Sequence, residues 1–263
     1  MGNLLILAPA PIAAIAVSRG SGAMNLLTPD PKEVWADTVA GLVAQIDIDF
    51  GAVRSIDSVF LGHVLPPHAD AVWTITGGTA GYTQLAVKAS GPLRVADVVN
   101  RAPSLSHAFW HGQAVSLRYL RLSLTQKAGE PPLTAGVVLA GLGFVPAWNR
   151  EWGSGRRVID TGTATALADG GFSIVEGARK AAWSWTMGDL SNAEIDWLWE
   201  IVLARGETLP LLVIEDPDAT AGLRRRMHYG KFQQLRPFER SKPNRNRWEL
   251  TIEDWGGDEA APL

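Results

Sequence analysis

The sequence predicts a mainly β protein of two domains, with one amphipathic helix at about residues 191–205 flanking the second domain. Three observations lead to this fold class. Short segments alternate polar and apolar residues, glycine and proline clusters separate them, and a helical period is clear at one place only. The length of 263 residues accommodates two hydrophobic cores of ordinary size. An antiparallel sandwich or jelly roll is therefore favoured over an α/β sheet.

The domain organisation is predicted from composition. Residues 1–24 are read as an apolar arm, 25–127 as a β-sandwich, 128–147 as a Gly- and Pro-containing linker and 148–263 as a second β domain. In the arm, Pro9 and Pro11 interrupt any helix, and no Lys or Arg precedes the apolar stretch. An arm that packs on the body or on a neighbouring subunit is favoured over a secretory signal, which stays the alternative.

Charge and cysteine content exclude several kinds of site. The formal net charge of -3 provides no general attraction to nucleic acid or to an anionic membrane, and we expect neither as a partner. The chain has no cysteine, which excludes disulfides, thiolate nucleophiles and zinc sites built from cysteine. Synthesis in a bacterial cytoplasm is the simple expectation.

The first domain is read as a series of short strands. Gln45–Phe50 places Ile46, Ile48 and Phe50 on one face, with Asp47 and Asp49 on the other. Similar segments follow after turns, and they cover residues 58–61, 71–76, 83–88 and 118–124.

These strands carry a resemblance. The segments Ile46–Gly51, Ser55–Leu61 with His63, and Arg118–Leu124 resemble the strands of the discoidin (F5/8 type C, galactose-binding-like) jelly roll. The resemblance covers about 100 residues and implies an N-terminal jelly-roll β-sandwich. Ligands of such modules bind in the loops, whereas the similarity lies in the strands. The resemblance therefore supports the fold more strongly than it supports any particular ligand.

The second domain is rich in tryptophan and contains the predicted helix. Trp183 and Trp185 alternate on a strand at 181–187. Ser191 and Glu194 form a capping box, and apolar residues follow at helical spacing until Gly206 ends the helix. These apolar residues are Ile195, Leu198, Trp199 and Val202. A buried strand at 209–214, a long basic loop and a final strand at 247–252 complete the domain.

This order of elements resembles bacteriophage tail-tube and distal-tail domains, a β-sandwich or barrel with one flanking helix. The matching positions are Trp183, Trp185, Leu190, Glu194, Leu198, Gly206, Pro210 and Asp216-Pro217. The resemblance implies a structural virion protein near the baseplate, which forms a six-fold ring of its own copies and contacts other tail proteins. It implies no enzymatic activity and no cofactor.

Charge polarity in the second half suggests how copies would join. Residues 189–218 contain eight acidic residues and one basic residue, whereas residues 224–247 contain nine basic residues and one acidic residue. Complementary segments suit contacts between copies. The predicted interface residues are Glu194, Asp196, Glu200, Arg224, Arg225, Arg226, Arg240 and Arg245. Two alternatives stay open, namely neutralisation within one chain and a phosphate contact at the arginine run.

Residues for catalysis and metal binding are sparse. The sequence has no nucleophile elbow, phosphate-binding loop or His-Glu-x-x-His motif. His107 and His111 would meet as metal ligands on a helix, but their neighbours indicate a loop or a strand edge, so no metal site is predicted. Asp216 and Asp218 are better explained by a turn than by glycoside hydrolysis. A calcium site stays open.

A soluble carbohydrate-binding module is the alternative function. Exposed His63, Trp73 or Trp110 would then stack on a cell-surface glycan. An accessory domain pair of a polysaccharide-degrading enzyme is the third hypothesis. Glycan contact is also compatible with the tail hypothesis, because many weak sites on one particle act together.

Overall fold

The computed structural model describes residues 2–95, 105–219 and 221–256, and in these residues the fold is mainly β. They contain one α-helix, α1, at Asn192–Arg205. The strands β1 to β17 are, in chain order, Leu5–Pro9, Ala14–Val17, Trp35–Ala36, Val43–Val64, Val72–Gly78, Ala86–Pro92, Ser106–Thr125, Thr134–Ala135, Val137–Phe144, Gly155–Asp160, Thr163–Ala166, Phe172–Val175, Arg179–Leu190, Leu211–Ile214, Met227–Phe232, Glu239–Lys242 and Arg245–Asp254.

The chain forms two compact units. The first contains residues 1–145 together with Leu211–Met227, and the second contains Pro146–Pro210 together with the residues from His228 on. The first unit is therefore discontinuous in sequence. The predicted strand at 209–214 is confirmed as β14, but it belongs to the first unit rather than to the second. Residues 257–263, the end of the predicted second domain, lie outside the described residues.

The main sheet of the first unit is built around two long antiparallel strands, β4 and β7. Its strand order is β14-β1-β9-β4-β7-β5-β6, and β2 pairs with β4. The pairing of β4 with β7 contains register shifts between Asp49 and Arg54, Ile56 and Ser58, and Leu61 and Val64. Such irregularities bend strands, so each long strand is divided into two halves.

Both halves of these strands contribute to one hydrophobic core. Ile46, Ile48 and Phe50 are buried as predicted, because alternate residues of a strand point to the same face. Val59 and Leu61 from the second half of β4 join the same cluster. Side chains from two strand layers that meet in one core are typical of a β-sandwich.

The N-terminal residues differ from the predicted arm. Leu4 to Leu7 are completely buried, and β1 pairs with β9 on one side and with β14 on the other. β9 itself lies inside the segment predicted as the linker 128–147. A strand that is covered on both faces is apolar at successive positions. The continuous apolar run therefore explains why β1 is an internal strand of the unit.

In the second unit the strands follow the order β10-β13-β17-β15, with β16 paired to β17. Trp183 and Trp185 of β13 lie on one face, as predicted, and their rings stack with centroids 4.4 Å apart. Among the described residues, no helix has the length and the apolar character needed to cross a bilayer.

The predicted helix is confirmed. Ser191 caps α1, and its side chain and that of Glu194 form the capping box. Ile195, Leu198 and Val202 are buried as expected, together with Ile201. Trp199 differs from the prediction, because 44% of its surface is exposed.

Candidate functional site

The outer face of the first unit carries a cluster of charged and aromatic side chains. Asp47 and Asp49 alternate with the buried Ile46 and Ile48 on β4 and therefore point away from the core. On β7, Arg121 lies opposite Asp47 and Tyr119 lies opposite Asp49. With Tyr82, which follows the left-handed Gly81 in the β5–β6 turn, these residues form the Tyr82–Tyr119 surface, made of Asp47, Asp49, Tyr82, Arg118, Tyr119 and Arg121.

Two bidentate ion pairs fix the polar groups of this surface. Arg121 Nε donates to one carboxylate oxygen of Asp47 at 2.6 Å, and one of its terminal nitrogens donates to the other oxygen at 2.7 Å. Arg118 binds Asp49 in the same way, at 2.8 and 3.0 Å. The hydrogen bonds from Arg118 hold the pKa of Asp49 below its ordinary value. Two forks of this geometry keep all four side chains oriented.

The two tyrosine rings pack against each other and against the arginines. The ring centroids of Tyr82 and Tyr119 lie 5.1 Å apart in an edge-to-face arrangement. The Arg118 guanidinium lies 4.9 Å from the Tyr119 centroid, and that of Arg121 lies 5.3 Å from the Tyr82 centroid. Burial, and then the charges of Asp47 and Asp49, raise the pKa of Tyr82 to about 12, so that its hydroxyl keeps its proton.

This arrangement is suited to binding rather than to catalysis. Both carboxylates are held by guanidinium groups, which disfavours their use as proton donors. The side chains of all four charged residues remain partly exposed, between 21% and 37%. Half-buried aromatic rings beside fixed donors and acceptors offer an apolar surface and directed hydrogen bonds to the same ligand.

The glycan residues predicted from the sequence lie elsewhere in the first unit. Trp73 is 4% exposed and belongs to the hydrophobic core, so its ring is not available to stack on a sugar. That prediction is wrong, because alternation on β5 sends Trp73 inward. Trp110 packs partly against the same core and keeps some exposure. His63 is mostly buried and does not present an open stacking face.

His63 is instead part of a histidine pair. Its backbone N–H donates to Nδ1 of His107 at 3.1 Å, and the two ring centroids are 5.2 Å apart. Burial, followed by the charge of Arg224, lowers the pKa of His63 to about 4, although Asp30 acts in the opposite direction. Burial also places the pKa of His107 well below its ordinary value. Both rings are therefore neutral at physiological pH.

The other candidates for metal binding or catalysis are explained by local structure. His107 and His111 lie on β7, and His111 is hydrogen bonded to Ser58 at 2.9 Å. Four residues along a strand separate side chains much farther than one helical turn does. Asp216 accepts a hydrogen bond from the Gly2 N–H at 2.8 Å. Within the described ranges, no group of three or more His, Asp or Glu side chains is placed to hold a metal ion.

The acidic residues predicted for a subunit interface lie on α1. Glu194 is used inside its own unit, since it accepts hydrogen bonds from the N–H groups of Ser191 and Ala147. Burial opposes its ionisation, but these hydrogen bonds prevail and the pKa of Glu194 is lowered. Asp196 and Glu200 are exposed. They are thus accessible for the predicted contact, whereas Glu194 acts as a cap.

The basic residues predicted for the same interface do not form one loop. Arg224, Arg225 and Arg226 belong to a 3₁₀ turn of the first unit, while Arg240 and Arg245 belong to the second unit. Arg240 is exposed on β16, and Arg245 donates to the Asp189 carbonyl at 3.2 Å. The predicted long loop contains β15 and β16, so the charge is distributed over two units.

Two surfaces of the second unit were not predicted from the sequence. One is an apolar groove beside α1, and the other is the hairpin of β11 and β12, whose strand residues are all exposed. The available signal for the groove was Trp199, a large apolar residue on the helix at a spacing that predicted burial. The Tyr82–Tyr119 surface was also missed, although Arg118 and Arg121 had been noted as parts of a strand motif.

Comparisons with known proteins give structural likenesses only. No protein-family model matches the sequence, and no curated protein sequence matches it. Similar structures include CBM32-3 of a family 31 glycoside hydrolase from Clostridium perfringens, with a TM-score of 0.41 and 14% identity, covering 52% of this chain and 94% of that one.

Two further structures are similar. Chitosan-binding module 2 of a chitosanase/glucanase from Paenibacillus sp. IK-5, in complex with chitotriose, has a TM-score of 0.41 and 16% identity, with 51% of this chain and 98% of that module covered. A GH29 fucosidase from Ruminococcus gnavus, in complex with fucose, has a TM-score of 0.38 and 11% identity, with 49% of this chain but 25% of the fucosidase covered. Likenesses this weak establish no family.

Proposed function

We propose that this chain is a non-enzymatic binding protein whose first unit recognises a cell-surface glycan through the Tyr82–Tyr119 surface. The observation that carries the proposal is the combination of two half-buried tyrosines with two bidentate Arg–Asp pairs on one outer sheet face. A sugar ring has apolar C–H faces and many hydroxyls. It therefore matches a surface that offers aromatic rings and fixed donors and acceptors together.

The same residues also stabilise the sheet, and this role has to be separated from binding. Cross-strand ion pairs and aromatic pairs contribute to sheet stability wherever they occur. A binding role differs because it requires the exposed edges of the tyrosine rings and the outer oxygens of the carboxylates. Tyr82 is the better probe, since it lies in a turn outside the strands and its removal spares the strand pairing.

The experiment is a glycan-array screen with the full chain, followed by calorimetric titration of the best oligosaccharide. Tyr82→Ala should weaken binding by about tenfold, the effect of losing one aromatic contact of about 1.4 kcal/mol. Arg121→Lys should weaken it as well, because lysine keeps the charge but loses the fork. Val87→Ser is the matched control, since Val87 is 67% exposed on β6. The proposal fails if wild type binds no glycan, or if Tyr82→Ala binds as wild type does.

A second candidate function is a structural protein of a bacteriophage tail, located in the virion near the baseplate. The capped helix on which the resemblance partly rests is present, although β14, the strand that follows it, belongs to the first unit. The specific observation that favours an assembling protein is the exposed apolar hairpin of β11 and β12. Negative-stain microscopy of the purified chain tests this function, because rings are expected for it and isolated monomers contradict it.

The two functions are compatible. A ring that carries one weak glycan site per copy would bind a host surface through many simultaneous contacts. Soluble chain and assembled particles should then differ strongly in apparent affinity for immobilised glycan. A monomeric chain with measurable glycan affinity would support the binding module alone.

A further inference from the structure

The β11–β12 hairpin has one apolar face. Ala164 pairs with Ile174 and Ala166 pairs with Phe172, and residues at alternate positions share a face of a hairpin. The opposite face carries Thr163, Thr165 and Ser173, with Val175 beside them. Phe172 is 67% exposed and Ile174 is 69% exposed.

A hairpin with an uncovered apolar face is expected to need a contact with another surface. A two-stranded hairpin alone is marginally stable in water, and its apolar face needs a covering surface. All eight strand residues are exposed, so its own unit supplies no cover. Contiguous exposed apolar side chains of this kind mark interaction sites.

The second unit also contains a receiving surface, the α1 groove. It has a volume of about 520 Å³ and is lined mainly by apolar side chains of α1, of the segment before β16 and of β17. Trp199, Phe238 and Trp248 form an aromatic cluster in its wall, with ring centroids between 5.6 and 5.9 Å apart. Leu203, on the helix side, is 67% exposed.

We propose that the α1 groove binds the apolar face of the β11–β12 hairpin of a second copy of this chain. The hairpin does not fill the groove of its own copy, because its eight strand residues are exposed and the two surfaces lie toward opposite ends of β13. The hairpin joins β13 at Arg179, whereas Trp248 of the groove pairs with Met187. Eight residues of strand separate these points by about 26 Å. The contact is therefore between copies, and it is head-to-tail.

Charge supports a second copy as the occupant. The hairpin segment 161–178 contains two acidic residues, Asp169 and Glu176, and no basic residue. The segment 235–247, which forms one side of the groove and continues through β16 into β17, contains five basic residues and one acidic residue. Arg236, Lys242 and Arg247 pair with acidic residues of their own unit, while Arg240 is exposed on β16. Complementary charges at the edge of an apolar contact set its register. In this arrangement the acidic partner of Arg240 belongs to the hairpin. The sequence had instead suggested an acidic partner on α1.

A head-to-tail contact has a geometric consequence. A dimer keeps one unused hairpin on one copy and one unused groove on the other, so dimers extend further and form rings if the rotation closes or filaments if it does not. The proposal concerns contacts between second units and does not depend on glycan binding by the first unit. Failure of either proposal leaves the other untouched.

The first experiment measures the mass distribution of the full chain by sedimentation velocity over a concentration series. Wild type should form concentration-dependent oligomers. Phe172→Ser with Ile174→Ser should raise the dissociation constant at least about a hundredfold, since two buried apolar side chains are lost. Val175→Ser is the matched control, because Val175 is 65% exposed on the opposite face of the same hairpin. A wild type that stays monomeric at high concentration overturns the proposal, as does a double variant that assembles like wild type.

The second experiment identifies the two surfaces in contact. Because the chain contains no cysteine, single cysteines can be introduced without competing thiols. A mixture of Phe172→Cys and Leu203→Cys chains should form a disulfide-linked heterodimer under mild oxidation, whereas Val175→Cys mixed with Leu203→Cys should not. Equal cross-linking of the two mixtures contradicts the proposed face. Leu203→Glu provides a second variant on the groove side. Its own dissociation constant should rise above that of wild type to the same extent as that of the hairpin double variant.

Discussion

Replacing His63 by asparagine tests how the first unit responds to acid. In the folded chain the pKa of His63 is lowered to about 4, by burial first and by Arg224 second, from an ordinary value of 6.5. The unfolded chain therefore takes up a proton before the folded chain does. The effect of His63 on the free energy of unfolding is absent above about pH 6.5. It grows more destabilising as the pH decreases toward 4, and it is constant below about pH 4. Asparagine suits the site because His63 has a φ of 55°, which asparagine tolerates.

The magnitude follows from the two pKa values. Their difference makes wild type lose about 2 kcal/mol of unfolding free energy between about pH 7 and about pH 5 through His63 alone. The variant lacks this contribution but keeps every other titrating group, including His107. The loss in wild type should therefore exceed the loss in His63→Asn by about 2 kcal/mol.

Urea denaturation followed by tryptophan fluorescence provides the assay, with both chains measured at each pH. His107→Asn is a second variant for the same assay. The side-chain oxygen of the introduced asparagine can accept the hydrogen bond that Nδ1 of His107 accepts from the His63 N–H. A direct NMR titration of the His63 ring gives the folded-state pKa independently. Equal loss of stability in wild type and variant, or a His63 ring that titrates near 6.5, would refute the reasoning.

Two further predictions concern stability at neutral pH. Ser191→Ala should lower the free energy of unfolding by about 1 kcal/mol, because Ser191 caps α1 through the N–H of Glu194, whereas Glu200→Ala, at an exposed position of the same helix, should change it little. Urea titration of the two variants checks this, and equal effects would contradict the cap. Trp73→Ala should cost about 3 to 5 kcal/mol, as expected for a ring lost from a core. Val72→Ala, at a neighbouring exposed position, is its control, and thermal unfolding that ranks the two variants equally would disprove the core assignment.

The chemistry of the candidate surface was only partly accessible from the sequence. Asp47 and Asp49 were assigned correctly to the outer face of a strand, because alternation with Ile46 and Ile48 is a local property. Their partners were not predictable, since Arg118 and Arg121 are about seventy residues away and meet them only through the register of β4 and β7. The same limit applies to Trp73, whose direction depends on which face of β5 meets the core.

The sequence by itself determined the elements whose causes lie within a few residues. The helix at Asn192–Arg205 follows from a capping box and an apolar stripe, and the strand faces of β4 and β17 follow from period-two alternation. Only the tertiary structure decided that the apolar N-terminal run becomes β1, paired with β14 some two hundred residues later. An apolar run indicates burial but carries no information about its partner strand, because pairing depends on contacts distant in sequence. For the same reason, only the folded chain shows the apolar face of the β11–β12 hairpin exposed and the α1 groove open.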